Sequence, residues 1–168
     1  MGRGRSRPSL QRSESLNQGL LGTQAPLAAD IVMLLEIAMG AGLLVGAWLA
    51  KAKRYRQHAW CQSTIVILNL TVVGITMVPS FHMQVLPRIP AKLARSYFAL
   101  ATAHAALGSF TELTALYILV AAGTQLLPER FRIQRYKPWM RSVLVLWWLV
   151  LLLGFATYAR WYVPRLFR

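Results

Sequence analysis

Acidic residues are scarce in this chain of 168 residues, which has 5 Asp and Glu against 19 Lys and Arg. The formal charge of +14 would suit a nucleic-acid-binding domain, but such a domain is polar along its whole length. Here 56% of the residues are hydrophobic and only 14% are charged. The apolar residues fall in runs of about 20 or more, the length that crosses a ~30 Å hydrocarbon core. The composition argues against a nucleic-acid partner and indicates an integral membrane protein.

Cysteine is also nearly absent. The single one, Cys61, lies in an apolar run, which excludes an internal disulfide and a multi-cysteine metal site. The sequence has no phosphate-binding loop, no HExxH motif and no nucleophile elbow. These absences predict a protein that is not an enzyme.

Four apolar runs are long enough to cross a membrane, at about residues 27–50, 60–79, 97–127 and 142–163. Segments such as 143–154 lack the alternation of a barrel strand, so spanning strands are not expected. Short loops place consecutive helices side by side and antiparallel. The sequence therefore predicts an all-α, four-helix transmembrane bundle with up-down-up-down topology.

The residues outside the spans are basic. Residues 1–26 are rich in Gly, Ser, Gln and Arg and predict a disordered cationic tail that contacts anionic lipid headgroups. Residues 27–163 form the transmembrane domain, and 164–168 form a basic C-terminal end. Close to the spans, the first and third loops carry nine Lys and Arg and the opposite side carries seven. This small excess favours cytoplasmic first and third loops with both termini outside.

Polar side chains inside the spans are the candidate functional residues, because leaving them in lipid is costly. In antiparallel neighbours, residues equidistant from a loop midpoint lie at similar depth. Midpoints near residues 54, 87 and 133 predict a cluster of four polar side chains at one level. The four are Glu36, Asn69, His104 and Tyr158. They form either interhelical hydrogen bonds or a ligand, proton or cofactor site, and the sequence leaves both open.

Glu112 and His58 complete the candidate cofactor-binding residues. Glu112 lies on the His104 face of the third span, about two turns along toward the His58 side. His58 and His82 are about 36 Å apart along one helix, and His82 and His104 differ in depth. A stable bis-histidine haem within one chain is therefore not expected. A transient haem centred on His104 or His58, or a haem shared with a partner chain, remains open.

A weaker candidate metal site lies where the second span ends. Met77, His82 and Met83 offer thioether and imidazole ligands, which suit Cu(I). Methionine in an apolar helix usually serves packing, so copper is a secondary prediction.

Several motifs together resemble a known family. They are a basic stretch before a helix that starts with histidine, a span with a His-x-x-x-Gly-x-x-x-Glu pattern, and a closing aromatic helix. The residues are Arg54, Arg56, His58, His104, Gly108, Glu112, Lys137, Arg141, Leu146, Trp147, Gly154 and Tyr158. Over roughly residues 30–162 the chain resembles the YozB-like family of small bacterial membrane proteins, also called domain-of-unknown-function family 420.

One branch of that family is implicated in the maturation of haem-copper terminal oxidases. The resemblance therefore implies a role in respiratory-chain assembly, with His58, His104 and Tyr158 as shared positions. This chain departs from the family pattern at the start of the last helix, where Arg135 and Lys137 stand in place of a common histidine. The departure weakens metal or haem ligation at that end.

These observations predict a non-enzymatic accessory or assembly protein of a respiratory, haem-copper oxidase-like, or photosynthetic complex. Its location would be a bacterial inner membrane, with several passes. Its partners would be membrane lipid and other membrane-protein subunits. The alternatives are a permanent structural subunit and a haem-binding or quinone-binding electron-transfer protein.

Overall fold

A computed structural model describes residues 20–21, 23–131 and 135–163. Those residues form helices and connecting turns, with no β-strand among them. The main helices are α1 (Leu27–Lys51), α2 (Tyr55–Val72), α3 (Val78–Gln84), α4 (Ser96–Gly123) and α5 (Tyr136–Tyr162). The all-α prediction is confirmed. Most of the predicted tail, 1–26, and the C-terminal residues 164–168 lie outside the described residues.

Four helical segments are long and apolar enough to cross a membrane. They are α1, the segment Tyr55–Arg88 that contains α2 and α3, α4, and α5. This agrees with the four spans predicted from the apolar runs and is consistent with a multi-pass membrane protein.

The second span is longer than its predicted range of 60–79, because Pro79 does not end it. A proline inside an α-helix clashes with the carbonyl group four residues earlier. Here a π-helical turn, Val73–Met77, comes just before the proline, and the Val78 N–H donates to Val73 O, five residues back. The wider turn accommodates the proline ring. The helix then continues through α3.

The third and fourth spans differ from the prediction at their ends. Helix α4 ends at Gly123, four residues before the predicted end, and Thr124 is extended with its hydroxyl donating to Val120 O at 2.7 Å. Helix α5 begins at Tyr136, six residues before the predicted start of its span. Pro138 lies in its first turn, where the missing N–H costs no helical hydrogen bond.

The most extensive helix contacts are within two pairs, α1 with α2 and α4 with α5. Smaller contacts of α1 with α5 and of α2 with α4 join the pairs. A core cluster draws on all four spans and contains Met39, Leu43, Ile65, Val66, Ala115 and Trp147. Gly40 allows a close approach of α5, since a Cβ there would lie 2.7 Å from Leu151 Cδ1.

Six threonine hydroxyls inside the spans are satisfied locally. Each of the six donates to the carbonyl oxygen four residues earlier: Thr71, Thr76, Thr102, Thr111, Thr114 and Thr157. Such bonds meet the requirement that polar groups in hydrocarbon have internal partners. These threonines need no further ligand.

Candidate functional site

Three helices each contribute one polar side chain to a cluster inside the bundle. Asn69 Nδ2 in α2 donates a hydrogen bond of 2.8 Å to Glu112 Oε2 in α4. Glu36 in α1 lies close enough to Glu112 for the two carboxyl groups to interact electrostatically. Both carboxyl groups would repel each other if ionised together. We call these three residues the Glu36–Asn69–Glu112 cluster.

Two oxygens of this cluster are buried without a hydrogen-bond partner. They are Oε1 of Glu36 and Oε1 of Glu112, and the Glu112 side chain is only 6% exposed. The indole Nε1 of Trp148 in α5 is also buried and unpartnered, and its ring packs near Gly40, one turn from Glu36. Unpartnered buried polar atoms cost free energy. The cluster can therefore share a proton or bind the polar end of a small ligand.

His104 makes its hydrogen bond to α5 and not to Asn69. Its Nδ1–H donates to Val150 O in α5 at 3.0 Å. The ring packs against Gly154, where a Cβ would lie 3.1 Å from Cε1. His104 is two turns before Glu112, about 12 Å along α4. The predicted proximity of Asn69 to His104 is wrong, because Asn69 pairs with Glu112 instead.

Tyr158 belongs to a different polar network. Its hydroxyl donates to Asp30 Oδ1 and accepts a hydrogen bond of 2.8 Å from Thr23 Oγ1. The Leu21 N–H donates to Asp30 Oδ2 at 2.9 Å. The sequence predicted Tyr158 at the level of Glu36 and Asn69. Instead, its hydroxyl links α5 to Asp30 at the start of α1. We call Asp30, Tyr158 and Thr23 the Asp30 network.

Asp30 is not among the residues predicted from the sequence, although it is fully buried, with 0% exposure. The sequence did contain a signal for Asp30. Asp30 is an ionisable residue at the fourth position of the first apolar run, so the rule that selected Glu36 applies to it as well. The partners Thr23 and Leu21 had no such signal, because they lie in the stretch predicted to be a disordered tail.

His58 is held like His104. Its Nδ1–H donates to Gly46 O in α1 at 2.8 Å. In both histidines the carbonyl bond leaves Nε2 as the nitrogen with a lone pair, which is how metal-bound histidines are usually oriented. The same bond also satisfies a buried histidine that has no ligand. Within residues 20–21, 23–131 and 135–163, no three His, Cys, Asp or Glu side chains are grouped as metal ligands.

The predicted copper ligands lie around one helical segment. His82 and Met83 are exposed residues of α3, and Met77 is the last residue of the π-helical turn. Consecutive helical residues point about 100° apart, so His82 and Met83 do not share a helix face. The helix alone does not bring the three side chains together.

Comparisons with known proteins give no match that bears on this site. No family model, no curated protein and no solved structure matches the chain. The membership of the YozB-like family therefore stays a proposal based on the residues of the sequence.

Proposed function

We propose that this chain is a non-enzymatic accessory or assembly protein of a respiratory, haem-copper oxidase-like, or photosynthetic complex in a bacterial inner membrane. The observation that carries the proposal is the Glu36–Asn69–Glu112 cluster, a polar site enclosed by helices with largely apolar surfaces. The resemblance to the YozB-like family, with His58, His104 and Tyr158 as shared positions, supports the respiratory assignment.

The proposal includes an up-down-up-down topology. Two contacts around the first loop support it, because Gly46 O bonds to His58 and Gly42 O accepts from Cys61 Sγ at 3.5 Å. The earlier residue in α1 pairs with the later residue in α2, as in antiparallel helices. The loop charges further favour cytoplasmic first and third loops, and reporter fusions at residues 53, 91 and 133 test this orientation.

The cluster can act in assembly by holding a proton or a ligand during transfer to the partner complex. Asn69 fixes one oxygen of Glu112, so the remaining oxygen has a defined position. A protonated carboxyl donates a hydrogen bond and an ionised one accepts it. The pair Glu36 and Glu112 can therefore change its hydrogen-bonding character while the helices stay in place.

Double replacement Glu36→Gln/Glu112→Gln tests the proposal, because glutamine keeps hydrogen bonding but cannot titrate. We expect the chain to insert at its normal level while the partner complex accumulates in an immature form. The control is Glu129→Gln, which removes an exposed carboxyl group. Normal maturation with the double variant would overturn the proposal.

Purification of the native complex separates assembly from a permanent structural role. An assembly protein is expected with immature forms of the complex and is lost from the finished one. Equal amounts of this chain and the mature subunits would assign it as a structural subunit instead. Mass spectrometry of the co-purified proteins identifies the partner.

A second candidate is an electron-transfer protein that binds a quinone or haem. It is favoured by the unpartnered Trp148 Nε1, a donor for a quinone carbonyl oxygen, and by the Nε2 of His104 or His58. Haem would supply a redox-active iron. In the proposed topology the two histidines lie about 28 Å apart along the bundle, so one chain offers a haem only one of them. An absorption spectrum of the protein in mild detergent tests this, and a stoichiometric bis-imidazole Soret band would overturn that geometry.

A further inference from the structure

A cationic cavity opens at the end of the bundle that carries the second loop. Its volume is about 640 Å³, and four of its lining residues are Arg88, Lys92, Arg95 and Arg160. No Asp or Glu lines it within the described part of the chain, and the other lining residues are a serine and two aromatic residues at the start of α4. Four like charges around one cavity repel one another, and an anion relieves that repulsion.

The wall of the cavity is fixed by aromatic packing. Tyr97 stacks on Trp161, with ring centroids 4.7 Å apart and planes within 7° of parallel. Trp161 Nε1 also donates to Tyr97 O at 3.3 Å. Phe98 is buried in a cluster with Val85 and Ala101. The side of the cavity formed by α4 and α5 is therefore closely packed.

Two of the four cations are positioned by contacts with this wall. Arg160 Nε donates to Ser96 Oγ at 3.2 Å. The guanidinium of Arg88 lies 5.9 Å from the centre of the Phe98 ring and donates to Gln84 O at 3.0 Å. Ordering these side chains before binding lowers the entropy lost when a ligand is bound. Arginine also suits phosphate because its planar donors bind two oxygens at once.

The depth of the cavity indicates where its ligand comes from. Arg88 ends the second span, Ser96 begins α4, and Arg160 is in the last turn of α5. All three positions lie at the ends of membrane-spanning helices, where lipid headgroups are concentrated. The stacked Tyr97 and Trp161 match the aromatic residues typical of this interface.

We propose that this cavity binds the phosphate of an anionic phospholipid headgroup. The lipid phosphate contacts Arg88, Lys92, Arg95 and Arg160, and its acyl chains lie along the apolar helix surfaces. The positive end of the α4 dipole adds to the attraction, since the helix begins at the cavity. The site is separate from the Glu36–Asn69–Glu112 cluster and does not depend on the function proposed for it.

The test uses the full chain, purified in detergent and stripped of lipid, and titrated with phosphatidylglycerol during native mass spectrometry. The variant Arg88→Gln/Lys92→Gln/Arg95→Gln is expected to bind about fivefold more weakly per cation removed, or roughly a hundredfold in total. The matched control, Lys51→Gln/Lys53→Gln/Arg56→Gln, removes three charges around the first loop. It should bind within about twofold of the unaltered chain.

Several outcomes would overturn the proposal. Equal weakening by both triple variants would mean that total charge, and not the cavity, governs binding. Equal affinity for phosphatidylcholine would exclude recognition of an anionic headgroup. Displacement of phosphatidylglycerol by inorganic phosphate at equal concentration would assign the cavity to a soluble anion. If the triple variant does not fold, Lys92→Gln and Arg95→Gln are measured singly. Each is expected to weaken lipid binding by about fivefold.

Discussion

Among the described residues, the buried carboxyl group of Glu112 has one hydrogen-bond partner. This partner is the side-chain amide of Asn69. Asn69→Leu keeps a side chain of similar branched shape but removes the donor. We expect the free energy of unfolding to fall by about 1 kcal/mol, the usual size of such bonds within membranes. Thermal unfolding in detergent measures this loss.

A double variant distinguishes this bond from simple packing. In Asn69→Leu/Glu112→Leu both polar partners are replaced by apolar groups, which is nearly neutral when shape is kept. The stability lost in the single variant should then be largely recovered. If the two replacements reduce stability additively, the bond does not contribute as argued.

The Asp30 network gives a prediction for Tyr158. Among the described residues, removing its hydroxyl in Tyr158→Phe leaves fully buried Asp30 with the Leu21 N–H as its remaining partner and takes away the acceptor of the Thr23 hydroxyl. We expect the free energy of unfolding to fall by about 1–3 kcal/mol, because a buried carboxyl group loses a hydrogen bond. The control is Tyr55→Phe, since Tyr55 is 65% exposed. Equal midpoints for the two variants in thermal unfolding would refute this role of Asp30.

At the level of helices, Gly40 sets how closely α5 approaches α1. In Gly40→Ala the new methyl group would meet Leu151 Cδ1 at 2.7 Å, and both positions are buried. Overpacking of this kind costs about 1–3 kcal/mol. Gly74→Ala is the matched control, because no atom lies within 4 Å of its added Cβ. The first variant should melt lower than the second, and the reverse order would show that the helices move apart freely.

The all-α fold class and the number of spans were predictable, because long apolar runs indicate both. The register was not, because it depends on where each helix ends. The second loop was centred near residue 87, but the second span continues to Arg88 and α4 begins at Ser96, so the centre lies near residue 92. In the proposed topology this moves the partner of Asn69 from His104 to the level of Glu112.

The third loop shows the same effect. Helix α4 ends at Gly123 and α5 begins at Tyr136, which places the loop centre near residue 130 and not near 133. His104 then faces Gly154, as observed, and Tyr158 moves away toward Asp30. These ends depend on local features that an apolar run does not reveal, such as the extended Thr124 after α4 and a proline tolerated by a π-helical turn.

At the scale of the whole molecule, the four spans divide into two helix pairs. Contacts are most extensive within α1–α2 and within α4–α5, and the connection near residues 89–95 is mostly exposed. Fragments 1–90 and 91–168 expressed together should therefore associate in the membrane. Affinity purification of one fragment should recover the other, and Asn69→Leu with Tyr158→Phe should reduce the recovery. Recovery that is unchanged by the two replacements would show that apolar packing alone joins the fragments.

Both polar links described above connect the first helix pair to the second, Asn69 with Glu112 and Asp30 with Tyr158. During synthesis, the first pair enters the bilayer while the residues that complete these bonds are still in the ribosome. Asp30, Glu36 and Asn69 meanwhile face lipid or the insertion machinery without those partners. A nascent or truncated chain therefore displays polar groups at membrane depth that the finished protein conceals. This difference distinguishes an incomplete copy from the finished protein by the polarity of its membrane-embedded surface.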